Sequence, residues 1–208
     1  MNFFKKNSYD IVRMLITQIG ISVFALIMST TFSFTGVKND SIWYVLGNVA
    51  ISAFSIIFYY ILLYTSAWDW GAKDKIRIDA GKLTKNNAKV LLMSLIANIP
   101  NLAVASFSLF CLIFSVCGLK FFFYAAGTLS YLVIYLSSHM FVGTTAGIFG
   151  FLKDTTPGAD NSLYFLMQMI LFILLFTVTI LVCHLGYSLG IKEKRIFGFI
   201  KTKPKKYE

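Results

Sequence analysis

The sequence predicts an all-α polytopic transmembrane bundle of six spans, with five as the alternative, and both termini cytoplasmic. Three observations lead there. The chain is 57% hydrophobic and 13% charged, with a mean hydropathy of +0.72, whereas soluble domains carry about 25% charged residues. Its uncharged runs at 14–37, 42–68 and 163–191 each exceed the roughly 18 residues that a spanning helix requires. Its basic residues gather at the ends of those runs, where the positive-inside rule places them.

In chain order, a short polar lead carries Lys5, Lys6 and Arg13. The first run, 14–37, is longer than the roughly 7–15 apolar residues of a signal-peptide core. No small-x-small cleavage site follows it, so it reads as an uncleaved first span. A short link with Lys38 and Asp40 leads to 42–68, which makes the two helices antiparallel neighbours. Trp43 and Tyr44 at one end of this run, and Trp68 and Trp70 at the other, fit interfacial aromatic belts.

The stretch 69–89 is then expected as a cytoplasmic loop. With Trp68 included it holds six basic residues (Lys73, Lys75, Arg77, Lys82, Lys85, Lys89) and three acidic ones (Asp69, Asp74, Asp79). Gly71 would permit a sharp turn after the helix. Ile76, Ile78 and Leu83 set apolar points among the charges, as in an amphipathic element on the membrane face. Trp68, Trp70, Gly71, Lys73 and Asp74 form the candidate docking element for a cytoplasmic partner or anionic lipid.

From Val90 to Leu152 the chain is apolar for 63 residues with a single charge, Lys120, and two or three crossings are expected there. Asn98, Pro100 and Asn101 form a candidate functional kink, because Pro100 removes a backbone donor and interrupted helices mark transport sites. Gly118 to Lys120 reads as a tight turn. Gly143 and Gly147 have the G-x-x-x-G spacing that favours close helix approach or a re-entrant turn. The loop 153–162 contains the turn signal Pro157-Gly158. The last span, 163–191, precedes a tail, 192–208, with seven basic residues. The whole is one integral membrane domain.

Sixteen of the nineteen basic residues lie in the lead, the 68–89 stretch and the tail. Placing all three clusters on the cytoplasmic side requires an even number of crossings after residue 90, although only three runs are obvious. Three crossings within 90–152 would give six spans in all. A re-entrant segment at 143–152 would change no side.

The net charge of +10 is distributed over helix ends and not over one soluble surface, so nucleic acid is excluded as a partner. The apolar runs hold no Asp, Glu, Lys or Arg, which disfavours proton-coupled carriers, voltage sensors and intramembrane aspartyl proteases. No G-x-x-x-x-G-K-[ST], G-x-S-x-G or H-E-x-x-H occurs, and no motif demands a cofactor. Cys111, Cys117 and Cys183 lie in apolar runs without metal-type spacing and read as small buried hydrophobes. His139 and His184 are the titratable groups in the spans. Each is either an interhelical hydrogen-bonding group or a general base. Gln18, Asn48, Asn98, Asn101 and Gln168 read first as interhelical hydrogen bonds, each worth roughly 0.6–2 kcal/mol.

Trp68, Gly71, Lys73 and Asp74, followed far downstream by Tyr187, Leu189, Gly190 and Lys192, resemble a W-x-x-G-x-K-D and Y-x-L-G-x-K signature. It is found in a group of uncharacterised polytopic proteins of low-GC Gram-positive bacteria. The resemblance covers about a fifth of the chain and implies a bacterial plasma-membrane protein with a cytoplasmic tail. In size the chain is also similar to small substrate-capture subunits of modular vitamin importers, although its first span lacks their A-x-x-x-A-type contact motif. The expected function is a non-enzymatic permease-like or accessory subunit, with the lipid bilayer around it and a partner such as a transporter ATPase. The alternatives are a membrane-embedded enzyme using His139 or His184, and a self-associating immunity or structural protein.

Overall fold

The computed structural model describes residues 2–35, 41–84, 86, 88–118, 120–153 and 161–194. Among them the elements are all helical: α1 (Asn2–Ser33), α2 (Ile42–Asp79), α3 (Lys89–Val116), α4 (Lys120–Ser137), α5 (Val142–Phe149) and α6 (Ser162–Ile191). Two short 3-10 turns, His139–Phe141 and Gly150–Leu152, flank α5. The expected turn at Pro157-Gly158 and the tail beyond 194 lie outside the described residues.

Four helices, α1, α2, α3 and α6, are long and apolar enough to cross a membrane, and α4 with α5 forms a bent pair that brings the count to five at most. Where two or three crossings were expected, 90–152 holds one full helix and one bent pair. Large apolar side chains such as Ile16, Val23, Phe54, Phe107 and Leu174 face outward, as a lipid-solvated bundle demands and a water-soluble one avoids.

One correction concerns the polar stretch after residue 68. It is not a loop at its start: α2 continues to Asp79. At 1.5 Å per residue, its 38 residues span roughly 57 Å, well beyond the ~30 Å hydrocarbon core. Ser41 caps its start by accepting from Trp43 N at 3.3 Å. The helix stops at Gly81, whose φ of +68° suits the left-handed position after a C-cap. Lys82 N donates to Arg77 O at 2.9 Å and Gly81 N to Ile78 O at 2.9 Å, closing a Schellman motif. Trp43 and Trp68 lie 25 residues apart on this helix, so roughly 38 Å separates them, a distance that reaches both headgroup regions.

Pro100 does not end its helix. α3 runs through it without interruption. Pro100 is exposed on the outer side of the bundle. The interruption lies instead at Ser138, where φ −139° and ψ 34° leave the helical region. There the chain turns by 94° between α4 and α5.

The helix contacts define two ends of the bundle. Phe3, Asn7, Asp74, Lys89 and Tyr187 meet around one cavity, which gathers the start of α1, the end of α2, the start of α3 and the end of α6. This is the basic end. At the far end, Ser33 and Tyr44 pair their hydroxyls at 3.1 Å, and the Tyr124 and Phe165 rings lie 6.4 Å apart. Ser108 Oγ donates to Gly127 O at 2.9 Å, and Ser137 Oγ donates to Asn101 Oδ1 at 3.4 Å. α4 thus descends from the end of α3 to its middle. After the bend, Gly143 abuts Asn48 and Ser52, and Gly147 abuts Val49. Lys153 shares a cavity with Tyr44 and Val45. Lys153 and the start of α2 thus lie at one end of the bundle, with the bend between α4 and α5 inside it.

Candidate functional site

The bend between α4 and α5 frees backbone groups at mid-depth, and α1 and α2 supply partners there. From α1, Gln18 Nε2 donates to Ser138 Oγ at 3.1 Å. From α2, Ser52 Oγ donates to the Met140 carbonyl. The same oxygen accepts from Thr144 N at 3.0 Å and from Thr144 Oγ1 at 2.9 Å. Thr144 lies in the first turn of α5, whose N–H groups lack intrahelical acceptors. Ser52 therefore caps a helix to which it does not belong. Gly143 and Gly147 permit the approach, since a Cβ at either would collide with Asn48 O or the Val49 side chain. The G-x-x-x-G spacing thus serves both close contact and the re-entrant turn.

Beside this bend lies a cavity of about 300 Å³ lined by Ser29, Tyr44, Asn48, Ser52, Tyr135, His139 and Lys153 among others. Among the described residues no carboxylate lines it. His139 is 5% exposed. Its Nε2 is 3.2 Å from Ser29 Oγ, and its ring meets the Tyr135 ring edge-on at 4.7 Å. Its Nδ1 is buried and makes no hydrogen bond of good geometry with a described residue. Ser29 and His139 are a hydroxyl and an imidazole in contact. A nucleophile–base pair is normally completed by a group that orients the base, and among the described residues no carboxylate does so.

His184 is elsewhere. It sits on the outward side of α6 in a groove with Leu181, Leu185 and Ser188, while its neighbour Cys183 packs inward. The two histidines are not brought together. Among the described residues no group of three His, Cys, Asp or Glu side chains is arranged to hold a metal ion.

The candidate kink residues divide. Asn101 touches α4 through Ser137, one residue before the break. Asn98 turns its amide back to Ser94 O at 2.9 Å, leaving Oδ1 buried without a partner. Gln168 Nε2 donates to Tyr164 OH within α6 at 2.8 Å, so its role is local.

The docking candidates divide as well. Gly71 and Asp74 are buried, while Lys73 is exposed. A Cβ on Gly71 would collide with Tyr187 O, and one on Gly190 would collide with Trp68 O. Gly186 packs against Tyr64 and Ala67. Small residues four apart on each helix, Ala67 and Gly71 on α2 and Gly186 and Gly190 on α6, let the two backbones touch. Trp68 Nε1 donates to Lys194 O at 2.8 Å. Asp74, 2% exposed, accepts at Oδ2 from Lys89 Nζ at 2.6 Å and from Tyr187 OH at 3.0 Å. Arg77 stands 3.9 Å from Oδ1. The two separated parts of the quoted signature are thus one contact.

Sequence reasoning missed Ser29, Ser52 and Gly186, and named Gly190 only within the signature. The glycines were legible as G-x-x-x-G in GYSLG. Nothing in the sequence marks Ser29 or Ser52 above the other serines of the spans. No protein-family model, curated protein or solved structure matches the chain.

Proposed function

We propose that the chain is a non-enzymatic, permease-like or accessory subunit of a bacterial plasma membrane, which admits a small solute to the cavity beside Ser138–Val142. The observation that carries this reading is the interrupted helix pair with a polar cavity at its tip. Irregular backbone at membrane depth is tolerated where protein buries it or where it borders a water-filled cavity, and broken helices of this kind recur at solute sites. The resemblance to polytopic proteins of low-GC Gram-positive bacteria supports the same membrane.

In this reading the basic end faces the cytoplasm. Six crossings were expected so that the three basic clusters share a side. Four crossings plus a re-entrant pair meet the same requirement, since the pair adds no crossing. The last turns of α2 then project into the cytoplasm. Gly71 and Asp74 are committed to α6, so a partner such as a transporter ATPase would dock on the exposed face of Asp69, Lys73 and Ile76.

The test is accessibility. In a chain without its native cysteines, Asn48→Cys and Ala146→Cys should react with a membrane-impermeant maleimide added outside intact cells. Failure of both to label would remove the water-filled cavity. Co-purification in mild detergent should yield a second protein whose recovery falls in Lys73→Glu.

The Ser29–His139 contact favours a second reading, a membrane-embedded hydrolase. Labelling of Ser29 by a fluorophosphonate probe, lost in His139→Gln, would replace the permease reading with this one. A homo-oligomer on cross-linking would favour the self-associating alternative.

A further inference from the structure

We infer that the pocket at the basic end, built on Asp74, Lys89 and Arg77, binds a phosphate-type oxyanion. This site lies at the opposite end of the bundle from the cavity discussed above and does not depend on transport. The pocket has a volume of about 230 Å³ and is also lined by Asn7, Thr84 and Asn86.

An ammonium carries three N–H groups. Lys89 Nζ has one protein acceptor among the described residues, Asp74 Oδ2 at 2.6 Å. Its side chain is 18% exposed and lines the pocket, so the pocket is where its remaining protons find acceptors. Asp74 Oδ2 is already shared between Lys89 and Tyr187, and Arg77 stands 3.9 Å from Oδ1. Arg77 reaches Asp74 only at 3.9 Å with 61% of its side chain exposed, which leaves most of its planar fork open. Asn86 spends its carbonyl oxygen on Ala88 N at 3.0 Å, so its amide N–H groups remain to donate.

Charge points the same way. Two cations face one carboxylate, so the pocket carries net positive charge, repels a further cation and attracts an anion. A tetrahedral oxyanion offers several acceptors at once and fits both the point charge of Lys89 and the fork of Arg77. The oxyanion has two sources of identical chemistry, the headgroup of an anionic lipid and phosphate in solution.

The experiment uses the full chain, delipidated in neutral detergent. Phosphatidylglycerol is titrated by native mass spectrometry, and inorganic phosphate by thermal melting. Arg77→Gln is the probe variant, because Arg77 is exposed and its loss leaves the Asp74–Lys89 pair intact. Lys73→Gln, on the exposed face of the same helix, is the control. Removing one charge-assisted contact should weaken binding about tenfold, in Arg77→Gln and not in Lys73→Gln. That pattern with phosphatidylglycerol assigns the site to a lipid headgroup, and the same pattern with phosphate alone assigns it to a soluble ligand. Equal behaviour of wild type and Arg77→Gln with both ligands, or equal weakening by Lys73→Gln, overturns the inference.

Discussion

Tyr187 donates its hydroxyl to Asp74 Oδ2 at 3.0 Å across 113 residues of sequence. The bond closes the basic end of the α2–α6 seam. It sits one turn beyond the point where Gly71 and Gly190 bring the two backbones into contact. Asp74 also holds Lys89, so one carboxylate joins α2, α3 and α6.

Removing that hydroxyl with Tyr187→Phe should lower stability by about 1.5–3 kcal/mol, the range for a hydrogen bond to a charged group. Asp74→Ala should do more, about 3–5 kcal/mol, because it strands the Lys89 ammonium. Unfolding midpoints in mild detergent measure both. The double variant should lose less than the sum, since the two side chains act in one network.

Gly190→Ala should destabilise by about 1–3 kcal/mol, because the new methyl meets the backbone of Trp68 and Gly71, which cannot yield as a flexible side chain would. Gly20→Ala is the contrast. Nothing lies within 4 Å of its Cβ position, and the change should stabilise α1 by about 0.5–1 kcal/mol. Thermal melting of the pair reads both signs, and equal effects would refute the seam.

Ser52→Ala should loosen the re-entrant tip, since it strands the Met140 carbonyl and Thr144 N, at about 1–3 kcal/mol. Hydrogen exchange should quicken across 139–149 while the midpoint of α3 stays protected. Ser55→Ala is the control, because Ser55 Oγ bonds only within its own helix, to Ile51 O at 2.8 Å.

A reporter inserted after Gly118 and one inserted after Lys153 should both read as external. Opposite sides would make the bent pair a true crossing. Reporters at the two termini should both read as cytoplasmic.

The long apolar runs were legible because hydropathy is a local property and lipid imposes it residue by residue. The four helices that can span lie close to those runs. The hairpin was partly legible: G-x-x-x-G at 143–147 allowed a re-entrant turn, but no local signal placed the break at Ser138. Pro100 was the stronger local signal, and yet α3 continues through it. An isolated breaker says where backbone groups are freed. It does not say whether partners elsewhere make an interruption favourable.

The sequence by itself determined where the long apolar helices lie and where the charges gather, because both follow from the side chains along each stretch. Only the tertiary structure decided what the stretch after Trp68 is. Gly71 and Gly81 are the same residue in the same polar stretch. Gly81 ends the helix, with φ at +68°, and Gly71 stays helical because the α6 backbone occupies the space its Cβ would fill. Asp74 reads as a solvated loop charge until Tyr187 and Lys89 arrive from two other helices to bury it. Those contacts join residues far apart in sequence, and local sequence does not encode a partner's position.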